Sequence, residues 1–570
     1  MAAPNLAIYY HPDGYDTKNR PLMGRRAAGK SFLDAWFDRR GAEETFCCAA
    51  REEDFKHFAA HAGTRGVTGK TNWLRLDRLE SVSQAGTLYF PGPDIGLNAW
   101  RRHRRNPLGF SIIGVTHTIC TKAVMDGIAE WLSAPVEPWD AVICTSNAVR
   151  QSVDYLLAAQ REHLSRRTGA TRFPQPQLPI IPLGINTAEF AADDDLRGQT
   201  RSKLGIGGGD VAFLFVGRLS IYGKAHPVSM FMALERAAKL TGKKLHLILA
   251  GWYATKGLEK AFQDGANFWC PSVTMHVVDG RDDAARHGAW RAGDVFVSLV
   301  DNVQETFGLT PVEAMAAGMP VVVSDWDGYR DSVRQGGDGI RVPTLIAPGA
   351  FGETLVDRYA ADIDSYDVYL ARTTYSVVVD IDAAVQAFVT LINDPHLRKR
   401  MGDAGRARAV SEYDWQHILA KYEGLAGALG EIRKAAPALD PKLRRVWPAR
   451  LSPFEMFANY PARSPLPSDR IRVVADDIEH VLEGIRLDTN VVIDNAEALL
   501  KNLRVFLAEI GTGEIVLSDI LNKHDMPGRM QRIALLLRLA KFGVVSISPA
   551  SGAVTVKRGP ADPAGPHFSQ

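Results

Sequence analysis

Short runs of consecutive apolar residues recur along this chain in two tandem series, and stretches with helical spacing separate them. The first series comprises residues 6–10, 110–115, 141–144 and 180–183. After a polar stretch at 193–209 the second comprises 211–216, 245–250, 275–278, 295–299 and 321–323. A strand that is apolar along its whole length is buried on both faces, which is the condition of a parallel sheet covered by helices. The intervening segments fit that role. In residues 31–38 the side chains Phe32, Leu33, Trp36 and Phe37 fall on one side, and residues 228–240 form a second helical stretch. The pattern predicts an α/β chain with two doubly wound, Rossmann-like domains facing a cleft. Ligands then bind beyond the carboxyl ends of the strands.

At 570 residues the chain exceeds a single core. The first domain is expected at 1–195 and the second at 196–435. Prolines at 437, 441, 448, 461, 465 and 467 mark a linker over 436–469. Beyond it, 470–570 reads as a small α+β unit resembling a winged helix. It has amphipathic helices at 496–510 and 528–542 and a strand pair at 544–547 and 553–557 around Ser551-Gly552. A net charge of +2 exerts no global pull toward nucleic acid or membrane. The five cysteines follow neither a zinc spacing nor a disulfide framework. The N-terminus lacks the pattern of a signal peptide, and no apolar stretch reaches the roughly 20 residues of a membrane span. A cytoplasmic protein is expected.

The densest chemistry lies between Glu305 and Asp325. Glu305 and Glu313 stand eight positions apart, with a glycine turn and a helix start between them. Gly308 lets the backbone approach a ligand closely. Thr310 and Pro311 read as N-cap and first residue of a helix whose N-terminus can face an anion. Thr310-x-x-Glu313 also satisfies a capping box, which would give Glu313 a purely structural role; Glu305 precedes the helix and has no such role. Upstream, Arg218 ends the strand 211–216 and Lys224 follows six residues later. Their charges suit a diphosphate that gains negative charge as it departs.

Val-Gly-Arg-Leu at 216–219, Lys224, Leu-Ala-Gly at 249–251 and Glu-Thr-Phe-Gly-Leu-Thr-Pro-Val-Glu-Ala-Met-Ala-Ala-Gly at 305–318 together closely resemble the retaining glycosyltransferases of family 4, which have the GT-B fold. The resemblance extends more weakly over residues 1–425, with Trp415 similar to a residue of the family's helix near the end of the donor domain. It implies that Glu305 bonds donor-sugar hydroxyls and that backbone amides around Phe307, Gly308, Leu309 and Thr310 bind sugar and phosphates. It further implies that Glu313 takes the ribose hydroxyls and that Arg218 and Lys224 bind the diphosphate in place of a metal. The Arg-to-Lys step is one residue longer than the commonest family spacing. His117, in Thr116-His117-Thr118 after the strand 110–115, resembles the family histidine near the reacting carbon, in what reads as a switch-point position. Gly24 resembles a glycine of the loop near the phosphates. The implied reaction transfers a sugar with retention from a UDP- or GDP-linked donor to a glycan, lipid-linked or small-molecule acceptor. The nucleotide sugar is a co-substrate, and no cofactor is expected.

Three features stand outside that resemblance. Gly24-Arg-Arg-Ala-Ala-Gly-Lys30-Ser31 satisfies the P-loop expression, but a long loop separates it from the strand 6–10, and the Walker B look-alike ending at Asp301 lies in the other series. ATP hydrolysis is therefore not expected. Trp100-Arg-Arg-His-Arg-Arg105 is a basic cluster that offers either a solvated surface or peripheral contact with anionic lipid at the inner face of a membrane. In the C-terminal unit, Arg529, Arg532, Arg538 and Lys541 share a helix with Leu535, Leu536, Leu537 and Leu539. That mixture favours a protein-contact module over nucleic-acid binding. A phosphorylase or epimerase on the same fold, or a catalytically weak scaffold, are the alternative readings.

Overall fold

The computed structural model describes residues 5–16, 24–438, 440, 445–489 and 496–550, with Arg25 and Thr489 described by backbone alone. The chain divides into two units, Met1–Arg450 and Leu451–Gln570. The division falls inside the expected linker.

The first unit holds two six-stranded parallel sheets with flanking helices, the GT-B arrangement expected. Its first sheet contains β1 (Ala7–Tyr9), β2 (Thr45–Ala49), β3 (Thr71–Arg75), β4 (Thr87–Tyr89), β5 (Ser111–Val115) and β6 (Ala141–Ile143), in the order β3-β2-β1-β4-β5-β6. The second contains β7 (Val211–Val216), β8 (Leu245–Gly251), β9 (Val273–Asp279), β10 (Val295–Ser298), β11 (Val321–Ser324) and β12 (Gly339–Val342), in the order β12-β11-β10-β7-β8-β9. Every residue of β2, β5, β8 and β10 is buried, as continuous apolar strands require. The segment 180–183 forms no strand. It runs beside β6 through an isolated bridge at Cys144 and Ile180, and Pro179 lacks the one N–H that would join the bond from Gln177 N to Asp140 O with that from Ile181 N to Cys144 O into a continuous ladder.

In each sheet the first strand lies centrally, so the chain reverses direction there. β1 sits between β2 and β4, and β7 between β8 and β10. Connections leaving two such neighbours diverge and open a crevice at their carboxyl ends. Arg218 follows β7 and Glu305 follows β10, so both flank the crevice of the second sheet. The first sheet opens between β1 and β4. Thr116-His117-Thr118, which follows β5, lies one strand away from that switch point and not at it.

The helix Trp415–Lys434 lies within the segment expected to bind donor, yet its core partners belong to the first sheet. Trp415, Ile418, Leu419, Tyr422, Ala426 and Leu429 share one apolar cluster with Phe32, Leu33, Trp36 and Phe37 of the helix Gly24–Arg40. Glu423 receives the guanidinium groups of Arg39 (2.7 Å) and Arg40 (2.6 Å), and Trp415 Nε1 donates to Ser31 Oγ (2.7 Å). The two crossings between domains run side by side: Ile185 N donates to Tyr413 O (2.9 Å), and Trp415 N donates to Ile185 O (3.1 Å). Gly184 permits this approach, because a Cβ there would lie 2.5 Å from the Trp415 ring.

After β12 the chain adds an antiparallel pair, β13 (Thr344–Ile346) and β14 (Val377–Val379). Between them run the helices Glu353–Ala360 and Tyr366–Thr374. In the second unit β15 (Arg470–Val473) lies between β16 (Ile515–Val516) and β17 (Val545–Ser548). Helices Ile478–Thr489, Ala496–Ile510, Leu517–Leu521 and Met526–Lys541 complete it. The expected strand at 553–557 and its Ser551-Gly552 turn lie outside the described residues. Arg532 pairs with Glu509 at 2.6 Å, and Arg529 Nε donates to His524 O at 3.0 Å. Leu535, Leu536 and Leu539 are buried, whereas Leu537 is exposed. This helix therefore spends much of its charge internally. Among the described residues no helix is long and apolar enough to cross a membrane.

The basic cluster also turns inward. It lies in the helix Gly96–Arg105, where Trp100 stacks on Trp447 and Arg102 is 1% exposed. Asp140 accepts from Arg102 Nη1 (2.5 Å) and Nη2 (2.7 Å), and from the backbone N–H groups of Ile112 and Glu137 (2.9 Å each). The helix therefore presents no continuous cationic face. Removing either partner strands the other charge in the core, at a cost of about 3–5 kcal/mol. Asp140→Ala and Arg102→Ala are each expected to lower the melting temperature measured by calorimetry, while Arg104→Ala, on an exposed residue, leaves it unchanged.

Candidate active site

A cleft of about 1740 Å³ runs between the two sheets, lined by both domains. Its second-domain wall is built at the carboxyl ends of β7 and β10. Gly217 follows β7 with φ 151°, a value that favours glycine, and turns the chain so that Arg218 lines the cleft. The guanidinium donates through Nη2 to Gly223 O at 3.3 Å and forms no ion pair among the described residues. It remains available to an anion.

Lys224 Nζ lies 2.8 Å from Glu305 Oε2. Burial works to raise the Glu305 pKa, but the Lys224 ammonium and the N–H groups of Thr306 and Gly308 outweigh it and hold the carboxyl below its ordinary range. The residue at the cleft floor is thus a carboxylate, which can only accept hydrogen bonds. Asn302, 1% exposed, pins these loops together. Its Oδ1 accepts from Gln304 N (2.9 Å), its side-chain amide donates to Lys224 O, and its backbone O accepts from Trp326 Nε1 (2.9 Å). Sequence reading passed over Asn302, because only the packed loops reveal its three partners.

The corner after Glu305 differs from expectation in one respect. The helix spans Leu309–Ala316 and its N-cap is Gly308 rather than Thr310. Gly308 has φ 78°, and a Cβ there would fall 1.9 Å from the Tyr329 ring. Tyr329 is in turn held by a 2.9 Å hydrogen bond between its Oη and Ser298 Oγ. No side-chain cap closes the helix, so Thr310 and Glu313 do not form the capping box their spacing allows. Pro311 removes one donor, and the N–H groups at the start of the helix remain oriented toward an anion. Phe307 is buried and anchors the corner, while Leu309, Thr310 and Glu313 line the cleft beside it. Burial raises the Glu313 pKa to about 7, with Arg286 drawing it down and Glu189 pushing it up. Glu313 is therefore a half-buried carboxyl that changes charge near neutrality.

The first-domain wall carries His117 and Gly24. The structure thus brings Gly24, His117, Arg218, Lys224, Glu305, Phe307, Gly308, Leu309, Thr310 and Glu313 to one cleft. Gly24 through Ser31 lie in a regular helix, and Lys30 Nζ is bound to Asp34 at 2.5 Å. Those residues make no phosphate cradle of the P-loop kind, which requires an open loop. Asp301, the Walker B look-alike, is buried and accepts from His226 N at 3.1 Å. Asp327, absent from the sequence reading, adopts φ 38° and packs its loop beside this corner. Its neighbour Gly328 has no room for a Cβ, which would lie 2.5 Å from Phe307 Cα. Among the described residues no three His, Cys, Asp or Glu side chains form a group that could hold a metal ion.

Residues 197–355 match the family model described as glycosyl transferases group 1. The chain is similar to the D-inositol 3-phosphate glycosyltransferase of Nocardia farcinica, 24% identical over 43% of this chain and 54% of the relative. It is also similar to the MMP alpha-(1->4)-mannosyltransferase of Mycolicibacterium hassiacum, 24% identical over 55% and 64%. A shorter stretch is 31% identical to the phosphatidyl-myo-inositol mannosyltransferase of Mycobacterium tuberculosis, over 27% of this chain and 34% of the relative. The match spans less than two thirds of each relative's length. Among solved structures, Anabaena Alr3699/HepE in complex with UDP and glucose aligns with a TM-score of 0.47 and 13% identity, over 74% of this chain and all of that one. On the matched residues and the motif they contain, residues 197–355 of this chain are similar to the glycosyl transferases group 1 family.

Proposed function

We propose that the protein is a retaining glycosyltransferase that moves a sugar from a UDP- or GDP-linked donor to an acceptor hydroxyl. The supporting observation is the shared wall of the second-sheet crevice. A cation without an ion pair among the described residues (Arg218), a lysine–carboxylate pair (Lys224 and Glu305) and an uncapped helix start (Gly308) line one cleft. A diphosphate between Arg218 and Gly308 meets a guanidinium fork on one side and oriented N–H groups on the other. The Glu305 carboxylate accepts hydrogen bonds from the sugar hydroxyls, and Glu313 accepts from the ribose.

In the reaction the bond between the anomeric carbon and the phosphate oxygen breaks. A bond from the acceptor oxygen forms on the same face, and the acceptor proton passes to the departing diphosphate. Negative charge grows on that diphosphate, so Arg218 and Lys224 act more strongly in the transition state than in the ground state. His117 stands on the opposite wall, where the acceptor and the reacting carbon meet. Two of the relatives are named for D-inositol 3-phosphate and phosphatidyl-myo-inositol, which supports a small-molecule or lipid-linked acceptor hydroxyl alongside a glycan. Two exposed arginines, Arg104 and Arg105, are the part of the basic cluster left for any lipid contact.

A thermal-shift screen of nucleotide sugars, followed by product analysis with candidate acceptors, tests the reading. A true donor raises the melting temperature by linkage, and no shift with any UDP or GDP sugar overturns it. Arg218→Ala is expected to reduce kcat by about 10²–10³-fold. Glu305→Gln preserves volume but removes the charge facing Lys224, and a loss of about 10²-fold is expected in steady-state kinetics.

Glu313 supplies a pH signature. Its pKa is raised to about 7 in the free protein, and ribose hydroxyls bind the ionised form and lower it. Binding therefore releases a proton below that pKa and tightens as pH rises. Affinity for the nucleoside diphosphate, measured by calorimetry, is expected to rise about tenfold from about pH 6 to about pH 8. Glu313→Gln removes this component of the slope.

A further inference from the structure

The segment between β13 and β14 belongs to the second domain in sequence, but its helices rest against the first. Lys122, which opens the helix Lys122–Ala129, donates its backbone N–H to Tyr359 Oη (3.3 Å) and its Nζ to Tyr359 O (3.3 Å). It also pairs with the Asp362 carboxylate. Tyr359 stacks on Tyr369 with ring centroids 4.4 Å apart. These contacts seat the segment on the first-domain loop just beyond His117.

Tyr366 opens the second of these helices and lines the cleft. Its hydroxyl donates to Gln304 Oε1 at 3.0 Å and lies 3.3 Å from Cys120 Sγ and 3.5 Å from Thr118 Oγ1. A phenol has one proton to donate, so the first-domain partner donates to Tyr366 while Tyr366 donates to Gln304. Burial, reinforced by Cys120, holds the phenol pKa well above its ordinary range, and the proton stays in place.

Gln304 passes the constraint on. Its Nε2 donates to Gly223 O at 2.9 Å, and the same carbonyl accepts from Arg218 Nη2 at 3.3 Å. Gln304 adjoins Glu305 and Gly223 adjoins Lys224, the two residues of the 2.8 Å ion pair. One polar chain thus runs from the loop after His117, through Tyr366 and Gln304, to the cations of the crevice.

Building on the transfer reading above, we infer that Tyr366 is a positioning residue. Its hydroxyl holds the Thr118–Cys120 loop in register with the Gln304–Glu305 loop, and through Gly223 it orients Arg218. The acceptor side and the donor side are thereby set at the separation transfer requires. Such a residue acts on the chemical step more than on donor binding, because the bond from Arg218 Nη2 to Gly223 O survives loss of the hydroxyl while the register between the two loops does not.

Tyr366→Phe removes the hydroxyl and keeps the ring. The expected result is a fall of about tenfold in kcat, with donor KM and nucleoside-diphosphate affinity within about twofold of wild type. Gln304→Leu should give a similar fall. The double variant should be no slower than the slower single one, since both interrupt the same chain. An unchanged kcat in folded Tyr366→Phe overturns the inference, as do losses that multiply in the double variant. A loss that disappears once activity is corrected for the folded fraction also overturns it. If the wild-type protein itself transfers no sugar from any nucleotide donor, the transfer reading falls and this inference with it. Failure confined to the variants leaves the transfer reading standing.

Discussion

A carboxylate in a largely desolvated throat keeps its charge only when a cation and oriented N–H groups stand beside it. Glu305 meets that condition through Lys224 at 2.8 Å and the amides of Thr306 and Gly308. The pair exists because β7 and β10 are neighbours at the point where the strand order reverses. The loops after these strands must separate there, and Arg218, Lys224 and Glu305 ride on them. The Gly308 corner is shaped by the same constraint. Tyr329 fills the space a Cβ would need, so the helix begins one residue beyond a backbone that glycine alone adopts easily.

The central strands of the second sheet were legible because they are buried and largely apolar, and 211–216 was placed to the residue. The edge strand β12, Gly-Ile-Arg-Val, was missed, and the other edge, β9, which alternates polar with apolar residues, was read only as 275–278. The strands of the first domain were harder. β3, Thr-Asn-Trp-Leu-Arg, lies at a sheet edge and mixes polar with apolar side chains, so its pattern resembles a loop. Residues 180–183 misled in the opposite direction: the run is apolar, but Pro179 just before it interrupts the ladder with β6. The site residues were legible where one motif held them together, from Glu305 to Glu313. Cap assignment failed at Thr310 because the Tyr329 contact that shapes Gly308 is distant in sequence. Asn302, Gln304 and Tyr366 act through partners far along the chain, and no local pattern announces such partners.

The P-loop expression at Gly24–Ser31 shows why context decides. The same letters that wrap a phosphate as a loop here form the start of a helix, with Lys30 bound to Asp34. The basic cluster at Trp100–Arg105 behaves alike, since its most buried guanidinium neutralises Asp140 inside the core. In the second unit the Arg532–Glu509 pair similarly consumes charge that a nucleic-acid surface would need exposed. In all three places composition pointed outward while the folded chain used the charge internally.

A crystal structure with a bound nucleoside diphosphate would decide where the anion is gripped. The terminal phosphate is expected within hydrogen-bond distance of both the Arg218 guanidinium and the backbone N–H groups that follow Gly308, at the start of the helix Leu309–Ala316. A nucleotide seated on the helix beginning at Gly24, or anywhere that leaves Arg218 untouched, would contradict this placement.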